Sequence, residues 1–318
     1  MSRSFTKWFL KLLLFLAVSS IIYLSTQKSL AEISSHSAEV LNALQPSWLL
    51  ASLLLSIVYR VVNACGWTFV VRALHHPLNL GTGVKIWLIS ETMRWLPGSI
   101  WSYGTRVYQG TKLGMSKTKA SISVTVELIL TLTAWAISAL LALGFSPLGY
   151  EALRLLSFSN LIFGLSVMAI ISGILFYVIY KQPESRIHQK LSSMLGDLIL
   201  TLRERPNLGI LISTLGFFTL LCVFNALGLY MVLMGLAFGN YLLADMVVVN
   251  SLGFLAGFFV LAAPGGIGIR EGFIALCLSQ IIPLQVAVLA AILFRLVQIL
   301  SEILCLLPFL PELLRRNN

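Results

Sequence analysis

The stretch "APGGIGIREG", residues 263–272, interrupts a long apolar part of the chain and carries a charge pair, Arg270 and Glu271. Proline removes one helical N–H group and clashes with the preceding turn, and neighbouring glycines allow the backbone to turn sharply. A helix that reaches Pro264 is therefore expected to break there. Because the break carries two charges inside an apolar region, it is interpreted as a candidate binding site.

Two other interpretations of these glycines compete with a binding site. The dinucleotide-binding fingerprint requires G-x-G-x-x-G between a strand and a helix. Here Gly266 and Gly268 are followed by Gly272, one residue too late, and an apolar helix precedes them, so this interpretation is excluded. The second interpretation is a packing hinge from which Arg270 reaches the membrane interface. The sequence leaves that hinge open.

The composition places the chain in a membrane. Of its 318 residues, 58% are hydrophobic and 11% are charged, whereas soluble domains carry about 25% charged residues. We predict one all-α, polytopic membrane domain over residues 1–318, with about seven or eight transmembrane helices and one or two broken, re-entrant segments. The predicted spans are 1–25, which we expect to be retained and not cleaved, 48–74, 120–145, 160–180, 208–238, 242–262 and 284–310, and the broken segments are 84–101 and 265–283.

Basic residues indicate the orientation of these spans. Cytoplasmic loops of membrane proteins are rich in lysine and arginine. Segment 72–119 has seven such residues and segment 181–207 has five, against one each in 26–47 and 146–158. We therefore expect the N-terminus and the two basic segments on the cytoplasmic side of the inner (cytoplasmic) membrane.

This orientation constrains the two broken segments. For residues 72 and 119 to lie on one side, 84–101 must enter the membrane and return. Segment 265–283 either crosses, which places the C-terminus in the cytoplasm, or re-enters, and the sequence leaves both open. The chain has 22 basic and 12 acidic residues, and in this orientation most of the basic residues lie in cytoplasmic segments beside anionic lipid. We accordingly expect no nucleic-acid partner.

The segment "SETMRWLPGSIW", residues 90–101, mirrors the first stretch. It runs from acid to base to Pro-Gly, whereas 263–272 runs from Pro-Gly to base to acid. Short segments interrupted by glycine or proline in the two halves of a chain point to a substrate site in transporters. Unpaired backbone groups are not tolerated in lipid, so both breaks must face protein or a watery cavity. We predict an inverted repeat whose breaks enclose an anion site at a helix N-terminus.

Further polar residues lie inside the predicted spans. Arg60 and Asn63 share one helix face, and Arg295, Gln298 and Glu302 form a stripe on another. A charge near the bilayer centre costs several kcal/mol or more, so each is a candidate for function. Internal pairing for packing alone is the alternative. The candidate substrate-binding residues are Arg60, Asn63, Glu91, Arg94, Pro97, Gly98, Arg106, Glu127, Pro264, Gly265, Gly266, Gly268, Arg270, Glu271, Arg295 and Glu302.

Neither a metal nor a cofactor is expected. The four cysteines lie in apolar stretches without C-x-x-C spacing, and His75 and His76 lack a cysteine or carboxylate at ligand spacing. The sequence contains no Walker-type phosphate loop. We assign no catalytic residues. Asp245, near the end of a predicted span, is expected to be solvated.

At these residues the chain resembles the lysylphosphatidylglycerol synthase transmembrane region family, also called the flippase-like domain family. The resemblance is carried by "APGGIGIREG", by "RWLPGSIWSYGTR" at 94–106 and by the arrangement of spans, and it covers about residues 45–310. It implies movement of a lipid across the bilayer. In two-part relatives a separate soluble domain makes the aminoacylated lipid, and we expect no such domain here. The residues that match the family's motifs are Pro97, Gly98, Pro264, Gly265, Gly266, Gly268, Arg270 and Glu271.

Three functions follow as hypotheses. The first is an inner-membrane translocase for a phospholipid or lipid-linked glycan, or a subunit of a cell-envelope glycolipid or polysaccharide assembly system, acting alone, as a homo-oligomer or with assembly partners. The second is a membrane-embedded transferase acting on a lipid-linked substrate, which would need a general base. The third is a non-transporting scaffold of a glycan-assembly complex. Candidate bases for the transferase are Glu91, Glu127, Glu271 and Glu302.

Overall fold

The computed structural model describes residues 44–95, 101–149, 206–238, 241–259, 266 and 268–309. All regular structure in these ranges is helical. Four of the described helices are long and apolar enough to cross a membrane, and they correspond to predicted spans 48–74, 120–145, 208–238 and 284–310. The predicted spans 1–25 and 160–180 lie outside the described residues, as do Pro97, Gly98, Pro264 and Gly265.

The α-helices are named here in chain order. Short 3-10 turns, Thr92–Trp95 and Leu307–Phe309, follow α2 and α8 respectively. The helices are α1 (Pro46–Ala73), α2 (Leu80–Glu91), α3 (Trp101–Lys112), α4 (Lys117–Leu143), α5 (Leu208–Gly235), α6 (Leu243–Phe259), α7 (Ile269–Leu278) and α8 (Leu284–Leu306).

Local sequence signals set where several helices begin. Asn79, Ser116 and Asn207 precede α2, α4 and α5, and each side chain accepts a hydrogen bond from a backbone N–H in the first turn. Such caps satisfy donors that the helix itself leaves unpaired. Pro46 occupies the first turn of α1, where its missing N–H costs nothing.

The two ends of the bundle are defined by backbone contacts between α1 and α5. At one end, called the Ala73 end, the N–H of Asn207 donates to Ala73 O at 2.9 Å; at the other, the Gln45 end, the N–H of Gln45 donates to Gly235 O at 2.8 Å. The two helices are therefore antiparallel and packed along their length. Helix α4 starts at the Ala73 end, where Ile122 packs against Val70.

Helices α2 and α3 form a hairpin that starts and finishes at the Ala73 end. Gly83 of α2 lies against Thr68 of α1, so closely that a Cβ atom at Gly83 would be 1.9 Å from the threonine oxygen. Gly110 near the end of α3 packs against Ala120 of α4. Both outer ends of this hairpin therefore lie at the Ala73 end, while Arg94, just after α2, pairs with Glu302 of α8.

Helices α6 and α7 form a second hairpin from the Gln45 end. Asp245 at the start of α6 accepts hydrogen bonds from Ser146 Oγ at 2.6 Å and Leu148 N at 3.2 Å, after the end of α4. Tyr241 OH donates to Ile281 O at 3.2 Å, so the residues after α7 return to this end. The expectation that Asp245 is solvated was wrong, because its carboxylate is buried and ties two helix ends together.

Helix α8 runs from the Gln45 end towards the Ala73 end. Phe294 packs against Gly228 of α5, and further on Cys305 contacts Ile57 of α1 and belongs to the cluster around Ala64. Helix α7 is thus the returning half of the second hairpin, and α8 then runs towards the Ala73 end. Helix α7 has 10 residues and is shorter than the predicted segment 265–283.

Candidate functional site

A cavity of about 370 Å³ is lined by described residues of both hairpins. Its wall comes from α1, α2, α3, α4, α5, α6, α7 and α8, so distant parts of the sequence contribute to it. This volume is in the range of small-molecule sites. The lining residues are Ser56, Tyr59, Arg60, Asn63, Trp87, Glu91, Arg94, Tyr103, Arg106, Glu127, Leu128, Thr131, Trp135, Asn225, Phe254, Gly257, Phe258, Gly266, Arg270, Arg295, Gln298 and Ser301.

Arg106 is the centre of the charge network on the first hairpin. Its side chain is 1% exposed and lies 2.9 Å from Glu91 Oε1, while its other terminal nitrogen pairs with Glu127 Oε2. Its Nε donates to Ser90 Oγ at 3.1 Å, and the guanidinium lies 5.2 Å from the ring centre of Trp87. The Trp87 indole N–H in turn donates to Glu127 Oε1 at 2.6 Å. These contacts hold α2, α3 and α4 together through buried charges.

A second group of ion pairs ties the first hairpin to α1 and α8. Arg94 lies 3.2 Å from Glu91 and 3.3 Å from Glu302, and Arg60 approaches the same Glu302 oxygen at 3.5 Å. Arg60 also donates to the backbone oxygen of Gln298 at 3.1 Å. Glu302 is thus shared by two arginines from different helices, which places it behind the cavity wall as an anchor.

Glu271 caps the helix that begins at the second break. Its Oε2 accepts a hydrogen bond from Gly268 N at 2.7 Å, and its Oε1 lies 3.1 Å from Arg295 Nε. A carboxylate at a helix N-terminus is favoured by the free N–H groups and the helix dipole. Glu271 therefore already occupies one N–H group at this helix start, and its negative charge lies at the positive end of the helix dipole.

Arg270 is held by uncharged partners. Its Nη2 donates to Asn250 Oδ1 at 2.9 Å, and its guanidinium lies 5.6 Å from the ring centre of Phe254. Asn250 in turn donates to Asn225 Oδ1 at 2.9 Å, and Gln298 lies 3.4 Å from the same oxygen. An amide chain therefore connects Arg270 to α5 and α8, across the cavity from the first hairpin.

A close backbone approach explains one glycine at the second break. Gly266 has a φ of +72°, a conformation that L side chains rarely adopt. A Cβ atom there would also lie 3.2 to 3.4 Å from backbone atoms of Gly257 on α6. The two glycines let the chain pass close to α6 directly beside the cavity.

The structure brings most of the candidate residues together. Gly268, Glu271 and Glu302 do not line the cavity; Glu271 and Glu302 pair with arginines that do. The positions of the four remaining candidates, the Pro-Gly pairs at 97–98 and 264–265, fall outside the described residues. The candidates on the cavity wall are Arg60, Asn63, Glu91, Arg94, Arg106, Glu127, Gly266, Arg270 and Arg295.

Sequence reasoning missed the aromatic residues of the wall. Trp87 precedes Glu91 by one helical turn, and Tyr103 precedes Arg106 by three residues, so helical spacing from the charged residues could have found both. Phe254 stacks on Trp135, with ring centres 4.5 Å apart. No signal in the sequence connects those two, because they lie on different helices far apart in the chain.

The comparison with known families settles the membership of the chain. The family model described as the lysylphosphatidylglycerol synthase TM region matches residues 8–304. The chain belongs to this family. No curated protein matches it significantly. The family resemblance expected from the two motifs is therefore confirmed, and with the apolar helices it makes this member of the lysylphosphatidylglycerol synthase TM region family a membrane-embedded, multi-pass protein. The family also indicates a lipid- or glycan-related function.

Proposed function

We propose that the protein moves the headgroup of a lipid, a phospholipid or a lipid-linked glycan, across the cytoplasmic membrane through the cavity between the hairpins. The observation that carries the proposal is the arrangement of the hairpins. They enter from opposite ends of an apolar bundle and meet at a cavity lined by arginines and glutamates. Re-entrant segments that meet near the midplane are a recurring way to build an alternating-access site.

The physical argument concerns where a headgroup can pass. Hydrocarbon excludes charged groups, and arginine or glutamate at membrane depth is retained mainly along substrate pathways. The cavity supplies charge, amides and hydroxyls to a headgroup, while apolar residues such as Leu54 and Ile129 cover the exposed faces of α1 and α4. In this proposal the acyl or polyprenyl chains remain in lipid and only the headgroup enters the protein.

Helix α8 is the proposed link between the two hairpins. Its Glu302 pairs with Arg94 of the first hairpin, and its Arg295 pairs with Glu271 of the second. The two α8 residues are seven apart and therefore share a helix face. Rocking of one hairpin against α8 would break one pair while the other holds, so that access alternates between the two ends.

The alternative of a membrane-embedded transferase receives less support from the geometry. A general base must direct a free lone pair at the substrate. Each of the four candidate bases is paired with at least one arginine, and none stands alone on the cavity wall. A transferase would have to release one of these pairs before reaction.

The proposal further includes an orientation with Ala73, Ser116 and Asn207 facing the cytoplasm. The basic segments 72–119 and 181–207 support it, and the described starts of α4 and α5 lie at the Ala73 end. We also extend the hairpin arrangement to an inverted repeat, whose halves contain the two mirrored motifs.

Reconstitution tests the proposal. Purified protein in liposomes with a trace of fluorescent phospholipid should allow a membrane-impermeant quencher to reach more than the outer-leaflet half of the label. Protein-free liposomes and liposomes with an unrelated polytopic protein are the controls. Formation of a new lipid product from a labelled sugar donor would instead support the transferase. If neither lipid movement nor product is seen with phospholipids and polyprenyl-linked sugars, the scaffold hypothesis replaces both.

A further inference from the structure

The charges around the cavity do not balance. Among the described residues, five arginines and four glutamates line it or pair with its lining, which leaves one positive charge when all of them are ionised. In the sequence, segments 96–100, 260–265 and 267, which follow or precede the hairpin helices along the chain, contain no ionisable side chain. The arginines are Arg60, Arg94, Arg106, Arg270 and Arg295, and the glutamates are Glu91, Glu127, Glu271 and Glu302.

The excess charge resides on Arg270. Four of the arginines each lie within 4.0 Å of a carboxylate. Within the described part of the chain, Arg270 instead contacts the Asn250 amide and the Phe254 ring. Arg270 is partly buried, and a charge drawn out of bulk water is stabilised by an opposite charge beside it. Neither partner carries a negative charge, and Arg270 lines the cavity.

We propose that the ligand carries one net negative charge, located on a phosphodiester that Arg270 binds. This inference rests on the proposed function and narrows its substrate class. Phosphodiester lipids include a phospholipid with an uncharged alcohol headgroup and a polyprenyl chain joined to a sugar through a single phosphate. A phosphomonoester carries about 1.5 to 2 negative charges at pH 7, and a diphosphate linkage carries at least as many. Both would overcompensate the cavity. A zwitterionic or cationic headgroup also offers a phosphodiester to Arg270, but its own positive charge would leave the occupied cavity with a net positive charge.

The geometry of Arg270 suits this partner. Arginine offers five N–H donors, and one of them is engaged with Asn250. The remaining donors form a planar fork that matches two oxygens of a phosphate. The amide and the aromatic ring fix the orientation of the guanidinium without neutralising it.

Selectivity for headgroup charge is the experiment. The rate of lipid movement in liposomes is measured for wild type, Arg270→Gln and Arg270→Lys. The chain-labelled lipids are phosphatidylglycerol, phosphatidylcholine, phosphatidic acid, polyprenyl phosphosugar and polyprenyl diphosphosugar. We expect wild type to move the two monoanionic phosphodiesters fastest. Arg270→Gln should lower that rate about ten- to a hundredfold, the loss expected for one hydrogen bond to a charged group, and should lose the preference over phosphatidylcholine. Arg270→Lys keeps the charge and should keep the preference at a reduced rate.

A binding readout separates the possible failures. Short-chain versions of the same lipids are added to purified protein in detergent, and the midpoint of thermal unfolding is measured, since a ligand of the folded state raises it. Glu302→Gln raises the net charge around the cavity by one, so phosphatidic acid should then raise the unfolding midpoint more than phosphatidylglycerol does. This variant tests the inference even if Arg270→Gln does not fold. Movement of all lipids irrespective of charge, or equal stabilisation by all, overturns the inference alone. Absence of movement with charge-selective binding contradicts the proposed function instead.

Discussion

Arg94 and Glu302 lie 208 residues apart in the chain, yet their side chains form an ion pair of 3.3 Å. The pair joins the tip of the first hairpin to the far half of α8, where Arg60 also binds the glutamate. Loss of one partner of a buried pair leaves an uncompensated charge. The contact therefore couples the tip of the hairpin to α8 and to the α1 helix on which the hairpin rests.

Removal of the Arg106 side-chain charge should strongly destabilise the protein. Arg106→Leu leaves Glu91 and Glu127 without their shared cation, at a cost on the order of 3–5 kcal/mol. Thermal unfolding in detergent measures the effect. Arg72→Leu is the matched control, because Arg72 is an exposed arginine at the end of α1 that binds a backbone oxygen; it should change stability by about 0.5 kcal/mol or less. Equal effects of both variants would contradict the central role of Arg106.

The pair between Glu271 and Arg295 should show strong coupling. Glu271→Gln keeps an oxygen for Gly268 N but loses the ion pair, and Arg295→Leu leaves the glutamate unpaired. Together they should destabilise by less than the sum of the single changes, with an interaction energy of about 0.5–3 kcal/mol. A double-mutant cycle on unfolding midpoints supplies the value. Strict additivity would mean that the two side chains act independently.

The positive φ at Gly266 should make substitution costly. Gly266→Ala forces a Cβ atom into a left-handed conformation and against the Gly257 backbone, at a cost of roughly 1–2 kcal/mol or more. Gly272→Ala is the control, since a Cβ atom there meets nothing within 4 Å and alanine favours a helix. The two variants should move the unfolding midpoint in opposite directions. If the Gly266→Ala variant is as stable as wild type, the close approach of Gly266 to the Gly257 backbone is contradicted.

The sequence predicted that the protein is helical and which intramembrane charged residues lie at the candidate site. Both predictions rest on local properties, the length of apolar segments and the free-energy cost of a charge within the membrane. Arg60, Glu127 and the α8 stripe were identified on that basis and lie at the cavity or behind it. Their pairing could not be predicted, because it depends on how helices pack across the bundle. The same holds for Asp245. No local sequence pattern predicts that its carboxylate is buried against Ser146.

The second hairpin marks another limit of the sequence. Apolar length alone made 242–262 a full span, whereas Gly266 lies against the backbone of Gly257 on α6, so the chain turns back beside this helix. The glycines predicted that the helix breaks but not which way the chain continues after the break. That direction depends on contacts such as Tyr241 with Ile281.

The sidedness of the two ends should be visible by thiol labelling. In a variant whose four native cysteines are replaced by alanine, Ser116→Cys lies at the Ala73 end and Gln280→Cys at the Gln45 end. Both positions are exposed. An impermeant thiol reagent on intact cells should label position 280 and spare position 116, and permeabilised cells should be labelled at both. The reverse pattern would invert the proposed orientation.

Filling the cavity is the most direct test of the claim that a lipid headgroup passes through it. Thr131 lines the cavity on α4, whereas Leu140 on the same helix is 68% exposed on the outer surface. Lipid movement in liposomes is measured for Thr131→Trp and Leu140→Trp at equal amounts of inserted protein. The account predicts that Thr131→Trp abolishes movement and that Leu140→Trp retains it. Wild-type movement by the Thr131→Trp protein would show that lipid takes another route and would contradict the account.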